Sequence, residues 1–133
     1  MSQKIFRSLR IPALLLALTA CSNDPTSDAA TARTLRLRLT TPNRDDGALV
    51  FRVSGPRIDS ALAAGSFRLF TRRPDDTTIV GAIVGELGGG TIITLRVSDG
   101  PQPLAYNAQI LEVADRGNQL RETIEGYALN IAP

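Results

Sequence analysis

The chain has 133 residues, the length of one domain, and its formal charge of +2 with a pI near 9.2 invites a nucleic-acid or membrane-surface reading. Three of the basic residues, Lys4, Arg7 and Arg10, stand near the N-terminus with no acid beside them. Without them the formal charge is about −1, so the charge no longer argues for nucleic acid. Histidine and tryptophan are absent and Lys4 is the only lysine, which removes the commonest general base, the commonest metal ligand and lysine-based nucleophiles from everything downstream.

Residues 1–20 combine a cationic start with the apolar run Ile11-Pro12-Ala13-Leu14-Leu15-Leu16-Ala17-Leu18 and end in small residues, the pattern of a secretory signal peptide. The run is far short of the roughly 20 apolar residues that span a bilayer, and Ser22-Asn23-Asp24-Pro25 stops it at once. Arg7 and Arg10 are not adjacent, so the pattern predicts export of an unfolded chain without a cofactor loaded beforehand.

Leu18-Thr19-Ala20-Cys21 closes that run and contains the only cysteine. It resembles the lipobox of bacterial lipoproteins, a leucine and two small residues before an invariant cysteine. The resemblance implies cleavage between Ala20 and Cys21, a diacylglyceryl group on the Cys21 thiol, and acylation of the new amino terminus. Each buried CH₂ of such chains contributes roughly 0.8 kcal/mol, enough in sum to hold the protein on a membrane. In enterobacterial lipoproteins an aspartate after the cysteine retains the protein at the inner membrane. Ser22 stands there, which implies the outer membrane or the cell surface.

Residues 21–33 contain no aromatic or large aliphatic side chain, and this composition predicts a flexible tether with a root-mean-square reach of about 20 Å. A short helix over residues 28–33 is the alternative. From residue 34 the pattern switches to period two, with Leu35, Leu37 and Leu39 alternating with Arg36 and Arg38, which predicts a strand with one buried and one wet face. Leu49, Phe51 and Val53 repeat that alternation after the turn-rich residues 41–47. Residues 58–64 suit a helical turn as well as a short strand. A strand is expected over residues 67–71, broken by Arg72-Arg73-Pro74-Asp75-Asp76, and residues 78–84 form a β-branched run predicted to be buried on both faces. Residues 85–90 are expected to be a turn or hairpin loop. Residues 91–98, 106–114 and 124–131 supply the remaining strands, the last with Tyr127, Leu129 and Ile131 on one face. No stretch after residue 33 sustains a helical apolar stripe over three turns.

Seven or eight short strands separated by turn signals predict an all-β domain over residues 34–133, an antiparallel β-sandwich, with a small closed barrel as the alternative. Residues 35–53 and 90–97 are loosely similar to cohesin-like and other immunoglobulin-like sandwich modules of bacterial surface proteins. That similarity implies a binding or assembly module and assigns no residue a role.

The candidate sites are few. Gly85-Glu86-Leu87-Gly88-Gly89-Gly90 is glycine-rich, but Thr91-Ile92-Ile93 continues it as a strand, whereas a phosphate cradle needs a Lys-Ser or Lys-Thr pair opening a helix. Asp45-Asp46, Asp75-Asp76 and Asp99 offer oxygen ligands without the spacing of a calcium loop, and turn capping is the expected role. No metal or other cofactor is expected. Arg36 and Arg38, with Arg52, Arg68 and Arg96, are expected on wet faces, either as ordinary solvated charges or as a basic stripe for an acidic glycan or lipid phosphate. Glu86, Glu112, Glu122, Glu125 and the aspartates are arithmetically able to supply a glycosidase pair, but no spacing selects two of them. No catalytic residue is assigned. The expectation is therefore a lipid-anchored envelope protein whose sandwich binds a protein or a glycan without catalysis. An accessory subunit of an envelope complex comes second and an envelope hydrolase third.

Overall fold

The computed structural model describes residues 32–98 and 103–133. These form eight strands: β1 (Arg33–Thr40), β2 (Asp46–Ser54), β3 (Ile58–Ala63), β4 (Arg68–Asp75), β5 (Thr78–Val84), β6 (Gly90–Val97), β7 (Asn107–Asp115) and β8 (Ala128–Ala132). The only helical element among the described residues is a 3-10 turn over Pro103–Ala105. The strands make two four-stranded antiparallel sheets, sheet A in the order β3-β6-β1-β8 and sheet B in the order β4-β5-β2-β7. The domain is thus an all-β sandwich, as the strand pattern predicts, and the two sheets do not close into a barrel.

The pairing is nested: β4 with β5, β3 with β6, β2 with β7, and β1 with β8. Only β4 and β5 are joined as a hairpin, and every other connection crosses from one sheet to the other. Arg33 and Ala132 consequently lie at one end of the sandwich. Residues 41–45, 85–89 and 116–127 meet at the opposite, distal end, where backbone bonds join Leu87 to Asp46 and Arg116 to Asp45.

The core sits between the sheets and is written by period-two alternation. Leu35, Leu37 and Leu39 of β1 and Leu49, Phe51 and Val53 of β2 are buried, while Arg36, Arg38 and Arg52 between them are exposed. Ile83 of β5 and Ile93 and Leu95 of β6 complete the same cluster. Gly81 faces the Phe51 ring so closely that a Cβ there would lie 2.7 Å from it, so the largest core ring has its space because position 81 has no side chain.

Several expectations change in detail. Residues 58–64 are a strand, not a helical turn, because β3 pairs along β6. β4 continues through Arg72-Arg73-Pro74 by a register shift between Arg72 and Asp75, so the proline interrupts pairing without ending the strand. β5 is not fully buried on both faces: Val80 is nearly covered, but Val84 is exposed on the outer side. Residues 85–90 are a sheet-to-sheet crossing, not a hairpin loop, and Gly89 and Gly90 take φ of +99° and +84° there. β8 covers only Ala128–Ala132, since residues 125–126 form a turn before it. Arg33 already belongs to β1, so the strand begins one residue before the expected domain boundary.

Candidate functional site

Asp46, the first residue of β2, is the one buried charged side chain among the described residues, and it gathers the distal loops around itself. The Thr41 hydroxyl donates to Oδ2 at 2.5 Å. Oδ1 accepts from Arg121 Nε at 3.0 Å, from Arg121 Nη2 at 2.8 Å and from the Tyr127 hydroxyl at 2.9 Å. Arg121 Nη2 also reaches Asp45 Oδ1 at 2.6 Å, and Asn43 Nδ2 donates to the Tyr127 oxygen at 2.6 Å. Burial alone raises a carboxyl pKa, but the bonds from Thr41, Arg121 and Tyr127 outweigh it and hold Asp46 below the ordinary carboxylate value. The Arg121 guanidinium is pushed further up by its bonds to Asp46 and Asp45. No buried side-chain nitrogen or oxygen among the described residues is left without a partner, so this assembly is a structural latch.

Sequence spacing missed the latch. Asp45-Asp46 is expected as turn chemistry, yet Arg121 lies 75 residues from Asp46, and only the nested pairing brings the two together. Asp75 does act as expected: its Oδ1 accepts from the Thr77 amide and hydroxyl, both at 2.8 Å, at the β4–β5 turn. These Thr77 bonds lower the Asp75 pKa. Asp99 lies outside the described residues, as do Leu18, Thr19, Ala20 and Cys21. Among the described residues no cluster of three potential metal-binding side chains occurs.

A cleft of about 470 Å³ opens between the β3 and β4 edges, lined by Arg57, Asp59, Arg73 and Asp76. Its charges mostly satisfy one another. Arg57 pairs with Asp59 at 3.4 Å, Arg73 donates to the Asp59 carbonyl at 2.6 Å, and the Ser98 hydroxyl donates to the Asp59 carboxylate.

The outer face of sheet A is different. Arg36 and Arg38 of β1 and Arg96 of β6 all point away from the core and are exposed. Arg36 stands opposite Thr94, Arg38 opposite Thr91, and Arg96 opposite Thr34. Two residues along a strand separate Arg36 from Arg38 by about 7 Å. Arg96 is the diagonal neighbour of Arg36, about 7–8 Å away at the Cα level. Arg36 Nη1 donates to the Pro133 main-chain oxygen at 2.9 Å, and neither Arg38 nor Arg96 has an Asp or Glu carboxylate within 4.0 Å among the described residues. The only carboxylate on the four strands of this sheet is Asp59, which Arg57 and Ser98 hold. The result is a flat cationic face of arginine and threonine donors, suited to an extended anion. No protein-family model, curated protein or solved structure matches the chain.

Proposed function

We propose that the chain is a lipid-anchored envelope protein whose sandwich is a non-catalytic binding module. In this reading Cys21 holds the membrane through its lipid, residues 21–33 form the tether, and the outer face of sheet A takes an anionic glycan at the outer membrane or cell surface. One observation carries the choice of ligand and face: Arg36, Arg38 and Arg96 share the outer side of β1 and β6, two strands without an acidic residue, whereas Arg52, Arg68 and Arg72 share the outer side of sheet B with Glu112. Three arginine positions about 7–8 Å apart at the Cα level, each opposite a threonine, match a repeating row of carboxylates or sulfates better than a single small anion. The absence of histidine, and of lysine after Lys4, leaves the module only carboxylates and tyrosines for acid–base work, in keeping with binding.

The test is retention of the mature protein on an acidic polysaccharide matrix against a neutral one, read at low and physiological salt. Replacing Arg36, Arg38 and Arg96 together by serine is expected to abolish the retention. Replacing Arg52, Arg68 and Arg72 of sheet B is expected to leave most of it. Equal loss in the two triple variants would reduce the effect to net charge, and unchanged retention in the first would end the proposal.

A further inference from the structure

The outer face of sheet B mixes guanidinium groups with hydrocarbon. Cross-strand register sets three rows on it: Arg72, Val80, Arg52 and Gln109; Phe70, Ala82, Val50 and Glu112; Arg68, Val84, Ala48 and Ala114. Across β4, β5 and β2 these rows hold three exposed arginines and no acid. Asp75, at the end of β4, is engaged by the Thr77 amide and hydroxyl, and Glu112 stands on β7, where it shares a groove with Glu122. None of the three arginines has an Asp or Glu carboxylate within 4.0 Å among the described residues. Phe70 lies among them, flanked by Arg68 and Arg72 on its own strand, and it is 56% exposed although the Arg68 guanidinium stands 5.8 Å from its ring centroid. Beside the ring, Val50, Val80 and Ala82 line a shallow depression of about 330 Å³. On sheet A the arginines stand opposite threonines; on this part of sheet B they frame an aromatic ring and aliphatic carbon.

We propose that the β4–β5–β2 part of this face lies on an anionic lipid surface, with Arg52, Arg68 and Arg72 at the phosphates and Phe70 passing between them toward the acyl chains. Charge selects the occupant. A second copy of the same face sets arginine against arginine, and a neutral lipid surface leaves the three guanidinium groups without counter-charge. A hydrophilic polyanion matches the arginines but leaves the ring and the valines in water. An anionic lipid surface supplies phosphates and hydrocarbon within a few ångströms of depth, and arginine side chains reach the first while their stems cover the second. The strand spacing makes the patch about 10 Å wide from β4 to β2, a shallow surface suited to a planar bilayer. Glu112 and Glu122 lie toward β7, so a tilt that brings β4 lowest holds both acids away from the phosphates. In that pose the outer face of sheet A is on the far side of the sandwich, and the two arginine faces serve different ligands. The inference stands on this face alone and needs no lipid on Cys21.

The chain from Ser22 keeps all eight strands and the core between them and carries no attached lipid, so vesicle binding reads the face and not the anchor. Cosedimentation is measured with vesicles of phosphatidylcholine alone and of equal parts phosphatidylcholine and phosphatidylglycerol, at low and physiological salt. Binding is expected to the anionic vesicles only and to weaken with salt. Replacing Arg52, Arg68 and Arg72 together by serine is expected to lower the partition constant at least about tenfold, whereas replacing Arg36, Arg38 and Arg96 leaves most of it. The chain has no tryptophan, so Phe70→Trp places a single fluorophore in the patch. Its emission is expected to move to the blue on anionic vesicles and to be quenched by brominated acyl chains. Leu62→Trp, at an equally exposed position on the outer side of sheet A, is expected to do neither. All these side chains are exposed, and an unchanged melting temperature checks the fold of each variant. The proposal is overturned by absence of binding to anionic vesicles at low salt, by equal binding to the neutral ones, by equal loss in the two serine variants, or by an unmoved emission from the Phe70→Trp variant. Retention on the polysaccharide matrix is read separately, so failure of either reading leaves the other standing.

Discussion

Arg121→Met tests the latch at the distal end. The substitution keeps an unbranched apolar stem as far as the position of Nε and removes the guanidinium that donates at 3.0 and 2.8 Å to Asp46 Oδ1. The Asp46 side chain has 0% exposure, so its carboxylate cannot turn to water for compensation. A fully buried carboxylate that loses its cation costs about 3–5 kcal/mol, a large fraction of the roughly 5–15 kcal/mol that holds a domain together. For a domain of this size that corresponds to a fall in Tm of roughly 12–40 °C. The pH dependence identifies the cause. In the native protein the Asp46 pKa lies below its ordinary value of 3.8, so the stability it contributes is fully present above that value. It is lost as pH falls through the lower folded pKa. Without Arg121, burial is opposed only by the Thr41 and Tyr127 hydroxyls, and the carboxyl pKa rises. The stability gap between native and variant proteins should therefore be widest at neutral pH and narrow steadily toward about pH 3 as the carboxyl protonates. Urea denaturation at a series of pH values measures it. A gap below about 1 kcal/mol at neutral pH, or one that does not change with pH, would refute the argument that Arg121 acts by neutralising a buried charge.

Tyr127→Phe removes one donor to the same carboxylate and should cost about 1.5–3 kcal/mol by urea denaturation, the range for a hydrogen bond to a charged group; no change would mean that Tyr127 contributes only packing. Gly81→Ala places a methyl 2.7 Å from the Phe51 ring and should destabilise by about 1–3 kcal/mol, with Phe51→Leu in the same chain recovering part of the loss; an additive double variant would contradict the clash. Cys21→Ala should leave the precursor unprocessed and the protein absent from the detergent phase on phase partitioning, and a variant still cleaved and still membrane-bound would remove the lipid anchor from the proposed function.

Much of the fold was legible residue by residue because a half-buried strand declares itself locally. Leu35-Arg36-Leu37-Arg38-Leu39 states both its conformation and which side faces the core, and the structure buries and exposes those residues in that order. The errors fall where local pattern is silent. Residues 58–64 lack alternation strong enough to separate turn from strand, and pairing with β6 decides them. The glycine run at 85–90 signals a turn without saying whether the chain returns to the same sheet or crosses to the other. Arg36, Arg38 and Arg96 were legible as wet, but their sharing one face depends on which strands are neighbours.

The sequence by itself determined an all-β domain, the strands that build it and the side of most strands that is wet, because period-two alternation is a property of adjacent residues. The resemblance of residues 18–21 to a lipobox is likewise a local pattern. Only the tertiary structure decided the nested strand order, the meeting of Asp46 with Arg121 and Tyr127, and the gathering of Arg36, Arg38 and Arg96 on one outer face. Those features join residues tens of positions apart, and no short-range pattern constrains which distant strand satisfies a given edge or which distant cation neutralises a buried carboxylate.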